Sequence, residues 1–172
     1  GYGTKAGIAP MHTWKPDSYS QAPVPSAAIL AAAVLNCALY GILRFHMLTS
    51  KCLGPEFSSG LLLWFGLGSM LIATPFILVQ SNFRRLLAYS SIDHTGIMLV
   101  GFGVGGGLGS FGALLHMFFH AITKPLLFFC AGTLQQHLGT AVFRKVGAGV
   151  IHVMPVTAVL FLAGTLAVTG TP

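Results

Sequence analysis

The sequence GALLHMFFHAITKPLLFFCAG, residues 112–132, decides how the rest of the chain is read. It is apolar enough to cross a bilayer, yet it carries His116, His120 and Lys124. These stand at i, i+4 and i+8, and each four-residue step on an α-helix adds about 40° of rotation and about 6 Å of rise. The three therefore fall on one stripe roughly 12 Å long. A lysine at the centre of a membrane helix costs on the order of 3 kcal/mol by insertion scales. A lysine near a helix end avoids that cost by snorkelling to the headgroups, but Lys124 stands far from both ends of the stretch. Pro125 follows directly, and a proline inside a helix leaves the carbonyl four residues back, that of Ala121, without its donor. A kink beside a buried ammonium admits water or a polar partner. A lone histidine on a helix is most often a satisfied core residue. Three titratable groups on one stripe point instead to a proton relay inside a membrane, since imidazoles and desolvated amines exchange protons near neutral pH.

Composition bounds the class. The chain has 172 residues, 54% of them hydrophobic and 7% charged. Soluble domains carry about a quarter charged residues. A mean hydropathy of +0.79 indicates a polytopic membrane protein. The 22 glycines suit close helix packing. The net charge of +6 would suggest nucleic acid in a soluble protein, but here the charges fall in short connecting segments and report topology. Cys37 and Cys130 lie in apolar spans, so with Cys52 they make no disulfide framework. No signal peptide is visible, and the abrupt ends read as a piece of a longer protein.

Residues 1–14 read as the end of a helix broken at Gly7 and Pro10, with Lys5 among small residues. Residues 15–23 read as a loop. Asp17 is there either a cap or loop acid, or an anchor of the broken helix between His12 and Lys15. Complete spans are expected at about 24–46, 59–80, 86–105, 110–134 and 147–169. The first has Asn36 near its centre, a residue that commonly joins helices by a hydrogen bond. The second carries no ionisable group, so it is expected to face lipid or another subunit. Asp93 and His94 lie one to two turns into the third and point about 100° apart. Residues 47–58 and 103–109 read as loops, and the glycine run in the latter is no phosphate cradle, since no Lys-Ser or Lys-Thr follows. His152 and Pro155 begin the fifth span, and Gly170-Thr171-Pro172 is a helix-breaking end. Lys15, Arg84, Arg85, Arg144 and Lys145 fall on one side, and Arg44 and Lys51 on the other. The positive-inside rule assigns the first side, with the loops at 15–23, 81–85 and 135–146, to the cytoplasm.

GTKAGIAPMHTWKPDSYSQAP with the span ending YGILRF, RRLLAYSSIDHTGIMLVGFG, GALLHMFFHAITKPLLFFCAG and LAGTLAVTGTP together resemble the antiporter-like subunits shared by respiratory complex I, membrane-bound hydrogenases and multisubunit cation/proton antiporters. The resemblance runs from Gly1 to Pro172. AVLNCALYGILRF and Asp93 in YSSIDH look most like the F-type membrane subunit of hydrogenase-4 and formate hydrogenlyase-type complexes. The resemblance implies an all-α polytopic bundle, a single transmembrane fragment covering about helices seven to twelve of a fourteen-helix fold. It implies a non-catalytic proton-pumping subunit of an oxidoreductase complex in the cell inner membrane, with other membrane subunits as partners. By position, Lys5 matches the lysine of the broken seventh helix, which in the family pairs with a glutamate of the fifth. Lys124 with His116 and His120 matches the central relay, and His94 the histidine of the tenth helix. One departure stands out: the eighth-helix places that hold a lysine or histidine in some subunits read Asn36 and Leu30 here.

The expected mechanism is electrostatic: separating a buried lysine from its carboxylate pushes its proton along the axis toward His116, His120 and Lys124. No dinucleotide fingerprint or cysteine cluster is present, so no cofactor is expected in this chain. A sodium/proton antiporter subunit would use the same residues, although sodium wants oxygen ligands and Asp17, Asp93 and Glu56 are the only acids. HMFFH has the spacing of a helical zinc pair but lacks the protease glutamate and an evident third ligand. A structural scaffold with a lapsed relay is opposed by the presence of both Lys5 and Lys124.

Overall fold

The computed structural model describes residues 1–142 and 153–169. Seven helices are described: α1 (Tyr2–Ala6), α2 (Trp14–Gln21), α3 (Val24–Leu53), α4 (Pro55–Val79), α5 (Phe83–Val104), α6 (Gly106–Leu138) and α7 (Pro155–Thr169). There is no strand among the described residues, only an isolated bridge between Asn82 and Val142. The chain is an all-α bundle.

The helices run longer than the apolar stretches, so several expected loops nearly vanish. The segment 47–58 reduces to Gly54, whose φ of 85° followed by Pro55 turns the chain in a single residue. The segment 103–109 reduces to Gly105, where Gly105 and Gly106 both take φ 69°. The central helix therefore begins at Gly106 and continues unbroken through Pro125 to Leu138. Residues 15–23 are a second correction: they are mostly the helix α2, with Pro16 in its first turn, where a missing N–H costs little. Asn82 caps α5 by accepting from the backbone N–H of Arg84 and Arg85, at 3.0 and 3.2 Å. That start is three residues earlier than 86, so Asp93 and His94 lie at mid-helix rather than near an end. Arg144, Lys145, His152 and the Gly170-Thr171-Pro172 end lie outside the described residues.

Among the described residues, α3, α4 and α6 are long and apolar enough to cross a membrane. At 22 residues α5 is also long enough, about 33 Å. Its Arg84, Arg85 and Asp93 lower its apolarity, and it sits inside the bundle, with fourteen of its 22 residues buried. α4 packs one face on α5 and leaves the other open, with Trp64 and Leu78 exposed, so only half of it is free for lipid or another subunit. Glycines set the α4–α5 contact: a Cβ at Gly96 would lie 2.7 Å from the Gly66 carbonyl oxygen, and one at Gly66 2.9 Å from that of Gly96.

Two apolar cores stack along the bundle. One joins Leu35, Leu39, Met98, Leu99, Phe102 and Ala113. The other joins Tyr19, Ala27, Ala31, Leu87, Phe128 and Ala131. Since α5 and α6 run antiparallel, residues 90–95 of the first and 116–124 of the second form a polar layer between the cores. Three connections gather at one end: Arg84 reaches the Tyr19 and Ala22 carbonyls and Gln135, Arg85 pairs with Asp17, and Phe83 N donates to Ala141 O.

Gly96→Ala is expected to force α4 from α5 at a cost on the order of 1–3 kcal/mol. Gly68→Ala, with nothing within 4 Å of the new Cβ, is expected to be neutral. Thermal melting of the purified full-length complex checks both.

Candidate functional site

The site is the polar layer. Leu87, Ser90, Ser91 and His94 recur at helical spacing on α5, facing the His116–His120–Lys124 stripe of α6. Burial deepens along the stripe, from half-buried His116 to His120 at 3% exposure and Lys124 at 0%. The Lys124 ammonium donates to the Leu87 carbonyl at 3.2 Å and to the Ser90 hydroxyl. The Ser91 hydroxyl donates to the same Leu87 carbonyl, at 3.0 Å. An ammonium has three donors, so this pair of acceptors leaves one for water or a moving partner.

His94 crosses from α5 to meet the stripe. Its Nδ1 lies 2.9 Å from Nε2 of His116, one donating and the other accepting. The His94 and His120 rings are 5.6 Å apart, centroid to centroid. Among the described residues, neither ring nitrogen of His120 has a hydrogen-bond partner. Beside it is a cavity of about 30 Å³ lined by His94, His116, Phe119, His120, Thr123, Ala167 and Val168. That volume holds about one water, which is what two orphaned nitrogens in a polar pocket call for.

Asp93, half-buried, acts electrostatically on Lys124. It points away from His94, as the 100° step between neighbours requires, yet it serves the same layer. Lys15, His94, His116 and His120 are all buried or half-buried within electrostatic reach of Lys124.

The remaining expected residues are more dispersed. Lys5 is exposed on α1, away from the stripe. Asn36 is half-buried on α3, its Oδ1 without a partner, two residues beyond a π-helical turn at Leu30–Val34. Leu30 opens that turn and is partly buried. His12 is buried with Nδ1 unpaired. Asp17 is exposed and bonds Arg85 at 2.5 Å, so it neither caps α2 nor anchors His12 or Lys15. Among the described residues no group of three His, Cys, Asp or Glu is placed to hold a metal ion, and His94 and His116 turn facing nitrogens on each other.

Sequence reading missed Lys15. Taken as a loop charge, it is fully buried, its Nζ donating to the Ala6 carbonyl at 2.8 Å. Its ammonium lies 5.7 Å from the centre of the Tyr19 ring. Gly7, at φ 71°, makes room: a Cβ there would lie 2.4 Å from Lys15 Cδ. The available signal was Pro16 in a first helical turn, just after Thr13 and Trp14.

All of residues 1–172 match the family model described as "NADH:quinone oxidoreductase/Mrp antiporter, TM". The chain belongs to this family. It is 40% identical over its full length to the hydrogenase-4 component F homolog of Methylacidiphilum infernorum, covering 36% of that protein. Among solved structures it is similar to a chain of the archaeal membrane-bound sulfane sulfur reductase, with TM-score 0.90, 29% identity, and coverage of 99% of this chain and 35% of that one. A chain of the Mrp complex from Dietzia sp. shares the fold, with TM-score 0.91, 22% identity, and coverage of 99% and 32%. The chain thus spans about a third of the length of these relatives. The sequence-based resemblance, including its hydrogenase-4 F-type leaning, agrees with these matches.

The two arginines at the start of α5 differ in burial and so in consequence. Arg84→Leu removes charge-assisted bonds to two carbonyls and to Gln135 and is expected to cost about 2–4 kcal/mol. Arg85→Leu breaks an exposed ion pair and is expected to cost under about 1 kcal/mol. Melting temperatures of the two variants of the purified complex check the ranking.

Proposed function

We propose that this chain carries the central relay of a proton-translocating membrane subunit in a redox-driven complex of the hydrogenase-4 or NADH:quinone oxidoreductase kind. The observation that carries the reading is the polar layer itself. His94 meets His116 and faces His120, and buried Lys124 stands one helical turn beyond His120, all between two apolar cores. Buried ionisable groups at membrane depth mark ion pathways. In the proposed cycle a proton enters from the Lys5 side, driven by a change in the charge near that lysine. It passes to Lys124 and the imidazoles, with water beside His120 as a link, and leaves past His94 and His116. Each transfer makes one N–H or O–H bond and breaks another.

The driving reaction belongs to partner membrane subunits, and this portion is assigned no cofactor. The protein sits in the cell inner membrane. The end that gathers Arg84, Arg85 and Asp17 faces the cytoplasm, since Arg84, Arg85, Arg144 and Lys145 outnumber Arg44 and Lys51. Lys15 is buried and no longer counts toward this balance. The second reading is a sodium/proton antiporter subunit. Its support is Asp93, a half-buried carboxylate acting on Lys124 that offers sodium an oxygen ligand.

The test restores the full-length subunit to its complex in sealed vesicles and compares Lys124→Ala and Lys5→Ala with the parent. Redox turnover and proton uptake are measured with and without sodium. The relay reading expects proton uptake per turnover to fall by roughly a hundredfold for Lys124→Ala, the scale of a lost proton-transfer group. Uptake that requires sodium supports the antiporter. Parental uptake in both variants makes the layer structural.

A further inference from the structure

The relay needs a link between the break after α1 and the α6 stripe. α3 offers none: from Val24 to Leu43 it has no Asp, Glu, Lys, Arg or His. Asn36 is its central polar group, and an amide does not carry a proton by titration. α2 does offer one, from a position outside the spans.

We propose that Lys15 is a proton-carrying member of the relay, the group that connects the break after α1 to His120 and Lys124. The proposal rests on the relay reading above. Three observations support it. First, Lys15 is fully buried although it stands in a short helix with polar neighbours, where a solvated pose would be easy. Second, among the described residues its ammonium has one hydrogen bond, to the Ala6 carbonyl, and one ring face, that of Tyr19. A permanently charged ammonium at full burial calls for more acceptors than this. Third, its charge reaches both Lys124 and His120.

Its surroundings are accounted for element by element. α6 presents Lys124 and His120, its own helix presents Tyr19, and α1 presents the Ala6 carbonyl. The arginines of α5 are engaged elsewhere on α2 and its end, Arg84 with the Tyr19 and Ala22 carbonyls and Arg85 with Asp17. No carboxylate fixes the Lys15 charge among these. A proton arriving from the α1 side converts the neutral amine to ammonium. The ammonium then donates it through water to His120 or Lys124 and returns to amine. Ala6 is the neighbour of Lys5, so a shift of α1 moves the acceptor of Lys15 and the seventh-helix lysine together.

The competing role is a cap: a cation on the last carbonyls of α1 favours the helix whether or not it exchanges protons. Lys15→Gln keeps a donor for the Ala6 carbonyl and removes the exchangeable proton. Lys15→Arg keeps the donor and the charge and does not release its proton. Lys15→His restores an exchangeable proton. Each is placed in the full-length subunit, assembled in its complex in sealed vesicles, beside Lys124→Ala. The carrier role expects proton uptake per redox turnover to fall by roughly tenfold or more in Gln and Arg, and to recover in part in His near neutral pH. Parental uptake in assembled Gln or Arg, with Lys124→Ala inactive, overturns the carrier role and leaves the relay reading standing. Parental uptake in Lys124→Ala overturns the relay reading, and the Lys15 role with it. If Gln does not assemble, Arg against His decides, since a cap tolerates Arg and a carrier does not.

Discussion

A fully buried ammonium is the constraint that organises this bundle. Lys124 stands at 0% exposure in the middle of the longest helix. Hydrocarbon offers it nothing, so every acceptor must come from another helix. α5 supplies them, and for that reason it is the polar helix and the interior one. α3, α4 and α6 are the helices with the length and apolarity to cross a membrane. The glycines at Gly66, Gly96, Gly101 and Gly109 follow from the same demand. Only close backbone approach brings α5 within reach of its neighbours on both sides.

The two apolar cores are what make the polar layer usable. They hold the antiparallel α5 and α6 above and below it, so that 2.9 Å between His94 and His116 is a property of the scaffold and not of one side chain. Beside His120 they leave a pocket of about 30 Å³, room for about one water. The proposed relay separates support from transfer: the cores set distances, and the layer would hold the protons.

Much of the fold was legible in the sequence, because membrane helices announce themselves by long apolar runs and the stripe by its four-residue period. The i, i+4, i+8 spacing placed His116, His120 and Lys124 on one face, where they are. What the sequence hid was tertiary or positional. The His94–His116 bond joins residues 22 apart that no period relates. Asp93 and His94 seemed close to a helix end because Arg84 and Arg85 read as loop, whereas Asn82 caps the helix ahead of them. Lys15 seemed solvated because its neighbours are polar. Burial was decided by Gly7 and Tyr19, which fold over its stem and head. Lys5 shows the reverse: the motif singles it out, yet it is exposed on α1.

Proton release by Lys124 itself is the central claim, and Lys124→Arg in the full-length complex tests it most directly. Arginine keeps a cation and donors for Ser90 and the Leu87 carbonyl, but it does not give up its proton. The account predicts a variant that assembles and moves no protons in sealed vesicles during redox turnover. Proton uptake at the parental level would mean that only the charge matters there, and would contradict the relay.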